Sequence, residues 1–191
     1  MNLSNYKHLI FDYDNTIARV PIDWGVARAN FRKFLIEKFQ GIELEQGIRV
    51  DEMERIAIEY SPEKREEIFS FRYFLEKSHD GSHEPINNVI NLIRKCALGS
   101  LHIISNNLKS TVFSGLRQFK IMQFFDVIIG VDEAGFPKPC TAAWDILLKS
   151  REINQKSCLF IGDSQVTDKK FAKRVGISFL DVNDLAGPNN E

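Results

Sequence analysis

The 191-residue chain has a formal net charge of −1, with 43% hydrophobic and 27% charged residues, and these proportions are ordinary for a globular protein. The near-neutral charge offers no basic excess for nucleic-acid binding, and the longest apolar runs are too short to cross a membrane. Three cysteines without a CxxC pair and an N-terminus without a secretory signal pattern predict a cytoplasmic protein.

Five short apolar segments, each bounded by turn or helix signals, predict buried β-strands. None of them alternates polar and apolar residues, which is typical of strands covered by helices on both faces. Helical patterns lie between them, so we predict an α/β fold with a doubly wound, Rossmann-like parallel sheet and right-handed crossovers. The predicted strands cover residues 8–11, 101–104, 127–129, 159–161 and 177–180.

The helical patterns of this predicted core begin and end at recognisable signals. Thr141 is a candidate N-cap for the third of them. Gly99 and Gly176 are candidate stops for the first and the fourth. The predicted helices cover residues 88–98, 108–119, 142–150 and 169–175.

The gap after the first strand predicts an inserted domain. About 85 residues separate the first two strands, which is too many for one crossover connection. Residues 24–39 form an amphipathic helical pattern, and further helical signals follow. We therefore expect a small all-helical cap domain at residues 18–83, and a core domain formed by residues 1–17 and 84–191.

The later helices of the insertion have their own start signals. Asp51 with Glu54 resembles a capping box. Ser61 and Pro62 combine a helix N-cap with a first-turn proline, and they predict a third helix that runs to Lys77. The segment 79–85 is the expected return hinge. The inward face of the third helix is predicted to carry Ile68, Phe71, Phe74 and Leu75.

Polar residues follow four of the predicted strands, at the edge where open α/β sheets bind their ligands. We expect them to converge on one rim, because the carboxyl ends of parallel strands meet there. In chain order these residues are Asp12, Asp14 and Thr16, then Ser105, Asn106 and Asn107, then Lys138, and finally Asp163, Ser164 and Asp168.

These residue types fit phosphoryl transfer. Neighbouring aspartates repel one another unless a cation lies among them, and carboxylate oxygens suit Mg²⁺. One aspartate can attack a phosphoryl group, while a second, two residues on, protonates the leaving oxygen and later deprotonates water. A serine hydroxyl, backbone N–H groups and a lysine would bind the non-reacting phosphate oxygens.

Four motifs, DYDNT, SNN, KP and GDSQVTD, follow one another in the chain. In type and order they resemble the motifs of the haloacid dehalogenase-type (HAD) superfamily of phosphohydrolases. The resemblance covers the whole chain, and the helical insertion resembles that superfamily's type 1 cap. It implies that Asp12 is the nucleophile and that Asp14 is the general acid and base.

The same resemblance implies roles for the other rim residues. Ser105, Asn106 and Lys138 would bind the substrate phosphate. A Mg²⁺ cofactor would be held by Asp163, the Asp12 side chain and the Asp14 backbone carbonyl, with Thr16 and Asp168 in supporting positions.

Two details qualify the resemblance. Cys140 and Thr141 follow Pro139 where many relatives have a further proline, so the match is looser at that helix start. The halide-removing branch of the superfamily lacks the second aspartate of the first motif. Asp14 is present here, which favours a phosphate substrate over a halide.

Each motif also has a structural interpretation of its own. A DxDxT turn can end a strand, Ser105 or Thr167 can cap a helix, and Lys138 can be a solvated surface charge. The order and placement of all four together favour the phosphoryl-transfer site. Candidates for substrate contact from the insertion are Arg19, Trp24, Arg28 and Arg32.

The expected function is a Mg²⁺-dependent phosphatase of a small phosphorylated metabolite, similar to phosphoglycolate phosphatases. No nucleic-acid or membrane partner is expected, and the sequence gives no oligomeric state. Three alternatives stay open: a phosphomutase of the β-phosphoglucomutase type, a receiver-like phosphoacceptor domain in which Asp132 after the third strand would be phosphorylated, and a non-catalytic binding module.

Overall fold

A computed structural model describes residues 3–77, 82–95 and 99–185. The strands are β1 (His8–Phe11), β2 (Ala18–Arg19), β3 (Glu84–Pro85), β4 (Ser100–Ile104), β5 (Phe125–Ile129), β6 (Cys158–Gly162) and β7 (Ser178–Asp181). The α-helices are α1 (Trp24–Lys38), α2 (Val50–Tyr60), α3 (Arg65–Lys77), α4 (Asn87–Lys95), α5 (Lys109–Gln118), α6 (Val131–Ala134), α7 (Ala142–Ser150) and α8 (Asp168–Arg174). Within the described ranges, no helix combines the length and the apolar character that a membrane crossing needs.

Five strands form one parallel sheet in the order β5-β4-β1-β6-β7. β1 is central, and its first residue, His8, is in register with Ser100 on one side and Cys158 on the other. The doubly wound α/β prediction is confirmed, and each of the five strands lies within two residues of its predicted bounds. The first motif therefore begins where the middle strand of the sheet ends.

The apolar runs of the strands supply both faces of the sheet. In β1, Leu9 and Phe11 belong to one buried cluster, while Ile10 belongs to a second cluster on the other face with Phe160 and Trp144. Successive side chains of a strand point to opposite faces. A strand buried on both sides therefore has no polar alternation, which is why the sequence pattern identified these strands.

The insertion between β1 and β4 is helical, as predicted, and consists of α1, α2 and α3. Its buried side chains, among them Phe31, Met53 and Ile68, lie in the same apolar cluster as Leu9 and Phe11 of the core sheet. β2 and β3 pair antiparallel, so the chain leaves and re-enters the core side by side. The division of the chain at residues 18 and 83 stays a prediction.

The predicted capping box at the start of α2 is wrong. Arg49, not Asp51, occupies the N-cap position, and it makes no side-chain cap hydrogen bond. Asp51 Oδ2 instead accepts hydrogen bonds from Arg49 Nη2 at 3.0 Å and from Asn106 Nδ2 at 3.2 Å. The carboxylate satisfies partners outside its helix, and a local motif cannot reveal such partners.

The predicted inward face of α3 is partly wrong. Ile68 and Leu75 are buried, but Phe74 is 60% exposed. Arg72 and Glu76 are buried in its place. These two residues lie four and eight positions after Ile68, on the same helical stripe. They can occupy this buried stripe because their opposite charges neutralise each other. A search for apolar residues at helical spacing does not find such a pair.

The ends of the other helices agree with their signals in position. Ser61 and Pro62 begin a 3₁₀ turn (Pro62–Lys64) that leads into α3, and Thr141 precedes α7, but neither Ser61 nor Thr141 makes a side-chain cap hydrogen bond. Gly176 follows α8 with a φ of 71°, a backbone conformation that glycine adopts readily. The last three residues of the predicted helix 88–98 and part of the predicted hinge lie outside the described residues.

Candidate active site

A cleft of about 230 Å³ opens between the C-terminal edge of the sheet and the helical insertion. Loops of the core supply one wall, and α1, α2 and α3 with the residue before α2 supply the other. The core residues are Asp12, Asp14, Asn15, Asn106, Asn107, Lys138, Asp163, Ser164, Thr167 and Asp168, and the insertion contributes Trp24, Arg28, Arg49, Val50, Asp51 and Arg72.

A tight turn after β1 brings Asp12 and Asp14 to this cleft together. The carbonyl of Tyr13 accepts the N–H groups of Thr16 and Ile17 at 3.2 and 2.9 Å, which reverses the chain. Asn15 adopts a φ of 57°, a left-handed conformation that asparagine tolerates better than most residues. The Tyr13 side chain is buried in the core, whereas both neighbouring aspartates line the cleft.

Lys138 is a buried cation at the centre of the site. Its Nζ donates to Asp12 Oδ1 and Asp168 Oδ1, each at 2.7 Å, and to the carbonyl of Ile104 at 2.9 Å. Burial alone would lower the pKa of Lys138, but the two adjacent carboxylates outweigh it and raise that pKa. The ammonium group therefore stays charged and links the residue after β1, the last residue of β4 and the first residue of α8.

Asp168 is held as the second partner of this lysine. While Oδ1 accepts from Lys138, Oδ2 accepts the N–H of Ser164 at 3.1 Å. A Cβ at Gly162 would lie 2.4 Å from Asp168 Oδ2, so glycine is required at the end of β6. Both oxygens of Asp168 are thus occupied by protein donors, and its supporting role stays a prediction.

Asp12, Asp163 and Asp168 offer carboxylate oxygens that lie within 4.8 Å of one another. Burial and the charges of Asp168 and Asp163 raise the pKa of Asp12 to about 8, against the opposing charge of Lys138. Burial, followed by the charge of Asp168, raises the pKa of Asp163 to about 6. A divalent cation would stabilise these ionised carboxylates, and an all-oxygen donor set of this kind suits Mg²⁺.

The side chain of Asp14 is set apart from the carboxylates of Asp12, Asp163 and Asp168 by its own hydrogen bonds. Its Oδ1 accepts the N–H of Val20 at 2.9 Å, and its Oδ2 accepts the indole N–H of Trp24 at 3.0 Å. Burial raises the pKa of Asp14, although these two donors act in the opposite direction. The side chain therefore has the raised pKa and the fixed orientation that suit a general acid.

The turn after β4 places its three polar residues differently. Ser105 is buried, and its hydroxyl donates to Asn107 Oδ1 at 3.2 Å and accepts the Asn107 N–H at 3.1 Å. Asn106 and Asn107 line the cleft. Asn106 Oδ1 accepts the Lys138 N–H at 2.6 Å, which ties this turn to the lysine loop. Thr16 is fully buried, and its hydroxyl has no hydrogen-bond partner among the described residues.

The insertion contributes residues that the sequence motifs did not identify, namely Arg49, Asp51 and Arg72. Asp51 and Arg72 meet Asn106 of the core, which is distant in sequence, whereas Arg49 pairs with Asp51 two residues on. The only signal in the sequence was the unexpected charge of Arg72 on the apolar stripe of α3. Trp24 and Arg28 line the cleft as candidate contacts, but Arg19 and Arg32 do not. Arg19 pairs with exposed Glu84, and Arg32 binds backbone carbonyls of the loop between α1 and α2.

Known proteins resemble this chain over most of its length. The protein named HAD-hydrolase YfnB, from Bacillus subtilis, is 24% identical over 218 residues, covering 98% of this chain and 88% of YfnB. Pyrophosphatase PpaX from Bacillus cereus is 27% identical over 101 residues, covering 52% of this chain and 47% of PpaX.

Solved structures share the fold. Magnesium-bound YfnB superposes with a TM-score of 0.56 at 24% identity, covering 91% of this chain and 87% of that chain. A haloacid dehalogenase-like hydrolase from Bacteroides fragilis gives a TM-score of 0.63 at 23% identity and covers 91% and 86% of the two chains. A protein named as a phosphoglycolate phosphatase from Lactobacillus plantarum gives 0.60 at 22% identity, with coverage of 96% and 89%.

The family model of haloacid dehalogenase-like hydrolases matches residues 9–182. That range includes the helical insertion, every core residue that lines the cleft and all five strands of the parallel sheet. Only the first residue of β1 lies outside it. The chain therefore belongs to the haloacid dehalogenase-like hydrolase family.

Proposed function

We propose that this protein is a Mg²⁺-dependent phosphatase that hydrolyses a small phosphorylated metabolite through an aspartyl-phosphate on Asp12. The observation that carries the proposal is the position of Lys138 between Asp12 and Asp168 in a cleft that Asp14 and Asp163 also line. Next to Lys138, carboxylate oxygens of Asp12, Asp163 and Asp168 lie within 4.8 Å of one another, and a divalent cation among them would offset this local negative charge where the phosphate group has to approach Asp12.

The first half-reaction uses both aspartates of the β1 turn. A carboxylate oxygen of Asp12 attacks phosphorus, and the bond between phosphorus and the leaving oxygen breaks. Asp14 donates its proton to that leaving oxygen, which departs as an alcohol. The raised pKa of Asp14, caused by burial, favours the protonated carboxyl group that this step requires.

The second half-reaction regenerates the enzyme. The Asp14 carboxylate takes a proton from a water molecule, whose oxygen attacks the phosphorus of the aspartyl-phosphate. The bond between Asp12 and phosphorus then breaks, and inorganic phosphate is the product. Lys138 and the turn after β4 would bind the phosphate oxygens as their charge changes. The Ser105 hydroxyl would do so by exchanging its hydrogen bond to Asn107 Oδ1 for one to phosphate.

The residues present fit the metal that this chemistry needs. Asp12, Asp163 and the backbone carbonyl of Asp14 would hold Mg²⁺, and Asp168 would support the site through Lys138. When bound, the ion would neutralise negative charge and orient the phosphate group towards Asp12.

The substrate class rests on the cleft and on the relatives. A cleft of about 230 Å³ suits a small molecule, and the names of two relatives specify pyrophosphate and phosphoglycolate as substrates. Asp132, the residue a receiver-like function would phosphorylate, does not line this cleft and accepts the backbone N–H of Lys109 at 2.9 Å. Its position gives that alternative no support.

The test is turnover of p-nitrophenyl phosphate, phosphoglycolate and pyrophosphate with Mg²⁺, before and after removal of the metal with EDTA. We expect Asp12→Asn to lower kcat by at least about a thousandfold, because an amide is a poor nucleophile. Asp126→Asn is the matched control and should leave kcat unchanged, because Asp126 is an exposed aspartate near the start of β5 that does not line the cleft.

Three results would contradict the proposal. Full activity of Asp12→Asn, with its folding verified by circular dichroism, would remove Asp12 from the nucleophile role. Hydrolysis that persists in EDTA would argue against the cation site. Turnover that depends on an added bisphosphorylated sugar would indicate a phosphomutase instead.

A further inference from the structure

A cluster of three charged residues is buried inside the insertion. Arg72 donates through Nε to Glu76 Oε1 at 2.7 Å and through Nη1 to Glu54 Oε2 at 3.1 Å, and all three side chains are at most 3% exposed. Burial raises the pKa of Glu54 to about 7 even though Arg72 acts in the opposite direction. Burying such a cluster is costly, and apolar side chains would fill the same space at least as stably.

The cluster does more than pair charges within the insertion, because two of its members also bind the core. Arg72 Nη2 donates to the backbone carbonyl of Asn106 at 2.9 Å. Glu76 Oε2 accepts the backbone N–H of Leu108 at 3.1 Å. These two charge-assisted bonds hold the turn on either side of Asn107, which lines the cleft.

The same arginine also supports the β1 turn. Its guanidinium carbon lies 5.1 Å from the ring centroid of Trp24, within the range of a cation–π contact. Trp24 in turn donates its indole N–H to Asp14. Arg72 therefore contacts, directly or through one residue, both core loops that carry the proposed phosphate-binding and acid–base groups.

An arginine suits this position better than any other cation. Its three guanidinium nitrogens each have a separate acceptor: a carboxylate on α3, a carboxylate on α2 and a backbone carbonyl of the core. The planar geometry of the guanidinium fixes the directions of all three bonds, which a lysine ammonium group cannot do. A shift of the insertion away from the core would break the bond to Asn106 and leave the bonds within the insertion intact.

We propose that Arg72 is a positioning residue, a proposal that rests on the proposed phosphatase function. Arg72 couples the docking of α3 on the core to the shape of the phosphate-binding turn at residues 105–108. Glu76 completes the coupling through Leu108, and Glu54 holds the arginine in place. The turn at residues 105–108 adopts the conformation that binds phosphate when the insertion is docked on the core. Docking of the insertion therefore completes the phosphate-binding site.

The chain provides a matched control for this arginine. Arg55 and Glu59 form another arginine–glutamate pair four residues apart, on α2, with 2.7 Å between Arg55 Nη1 and Glu59 Oε2. Arg72 and Glu76 on α3 have the same spacing and the same distance between Nε and Oε1. The pair on α2 is exposed and has no bond to the core among the contacts that the structure describes. Arg55→Met therefore removes the same kind of pair without touching the turn.

The main variant combines Glu54→Leu, Arg72→Met and Glu76→Leu, so that no buried charge is left unpaired and the fold is retained. We expect the KM for p-nitrophenyl phosphate and the inhibition constant of inorganic phosphate each to rise at least about fivefold. A purely structural role would reduce the folded fraction and leave both constants unchanged. Arg55→Met should match the wild type.

A second measurement needs no turnover. In the triple variant, amide hydrogen exchange at Leu108 should accelerate at least about tenfold, because its carboxylate acceptor is lost. Should the triple variant fail to fold, Glu76→Gln preserves the shape of the side chain and supplies the same readout. A wild type without phosphatase activity would contradict the proposed function, and the exchange rate would still decide the coupling. Unchanged exchange at Leu108, or unchanged phosphate inhibition in a folded active variant, would overturn the inference.

Discussion

Trp24 of the insertion donates its indole N–H to Asp14 Oδ2 of the core at 3.0 Å. The bond joins the first residue of α1 to the proposed general acid, across the cleft that both residues line. The carboxyl group of Asp14 is thus oriented by a backbone donor directly after β2, the N–H of Val20, and by a side-chain donor from α1. Proton transfer at the leaving oxygen should depend on both donors.

Replacing Trp24 by phenylalanine tests the contribution of the donor from the insertion. Phenylalanine keeps an aromatic ring under Arg72 and removes the N–H that Asp14 accepts. We expect kcat for phosphoglycolate, whose alcohol leaving group needs a proton, to fall about tenfold, because one oriented hydrogen bond to a catalytic carboxylate contributes on that scale.

The second tryptophan of the chain is the control for that experiment. Trp144 on α7 is buried, and its Nε1 has no hydrogen-bond partner among the described residues. Trp144→Phe should therefore leave kcat unchanged and should not lower the free energy of unfolding by loss of a hydrogen bond. Equal kcat values for Trp24→Phe and the wild type would show that the indole bond does not orient the acid.

Asp168→Asn tests the link between the lysine and the acidic cluster. The substitution leaves Lys138 with Asp12 as its one charged partner, so the ammonium group would pair more strongly with the nucleophile. We expect kcat to fall between about tenfold and a hundredfold, because Asp12 becomes a weaker nucleophile and Lys138 is less well placed for phosphate.

The control for this variant is Asp145→Asn, which alters an exposed aspartate in the first turn of α7. Steady-state kinetics and urea unfolding should be measured for both proteins. If Asp168→Asn loses stability but keeps the wild-type kcat, Asp168 is a structural partner of the lysine without influence on the reaction.

The fold and the core half of the site could be predicted because their signals are local. Each strand is a short apolar run, and the residue after each strand reaches the same edge of a parallel sheet. Asp12, Asp14 and Asp163 follow from that topology, and Lys138 was predicted from the KP motif in the segment after the third strand. The structure brings all four to one cleft. Ser105 shows the limit of this reasoning, because its hydroxyl is engaged by Asn107 within the turn.

The half of the site that the insertion supplies could not be predicted in the same way. Arg72 meets Asn106 across a sequence separation of 34 residues, and Glu76 meets Leu108 across 32. Charged residues four apart on a helix usually form a surface pair, and the apolar spacing of α3 favoured Phe74 for the buried face. The structure shows the opposite arrangement: the charged pair is buried, because its tertiary partners neutralise it, and Phe74 is exposed.

Gly115 on α5 is expected to be indispensable for the packing beneath the β1 turn. A Cβ at this position would lie 1.6 Å from the Tyr13 hydroxyl and 2.5 Å from His83 Nδ1. Those two groups are hydrogen-bonded to each other at 2.5 Å. Gly115→Ala should lower the free energy of unfolding by about 1–3 kcal/mol or more, as is usual for overpacking in a core.

A second substitution separates steric overlap from other effects at this position. In Gly115→Ala with Tyr13→Phe, the hydroxyl that the new methyl group meets is absent, so part of the lost stability should return. Urea unfolding of the wild type, both single variants and the double variant gives the coupling free energy. Additive effects would mean that the alanine and the tyrosine hydroxyl do not compete for the same space.

The neighbouring strands β1 and β4 contain a pair of histidines that should make stability depend on pH. His102 of β4 is fully buried and stacks on His8 of β1, with ring nitrogens 3.3 Å apart. Burial, followed by the charge of His8, lowers the pKa of His102 to about 4, while Asp126 acts in the opposite direction and Arg151 adds to the lowering.

The direction of the effect follows from the lowered pKa. Unfolded chains bind a proton on histidine near pH 6.5, whereas folded His102 resists protonation down to about pH 4. The unfolded state therefore binds more protons in this window, and stability is retained above pH 6.5 and lost as the pH falls towards 4. The contribution of His102 to this loss should be about 3 kcal/mol between pH 7 and pH 4.

Urea unfolding of the wild type and of His102→Gln between pH 7 and pH 4 measures that contribution. Glutamine is polar and does not titrate, so the free energy of unfolding of the variant should fall less steeply with decreasing pH. His8→Gln serves as the comparison, because His8 is partly exposed, although burial lowers its pKa as well. Parallel pH profiles for the wild type and His102→Gln would mean that His102 is protonated equally in the folded and unfolded states, and the buried imidazole would then not be a source of acid sensitivity.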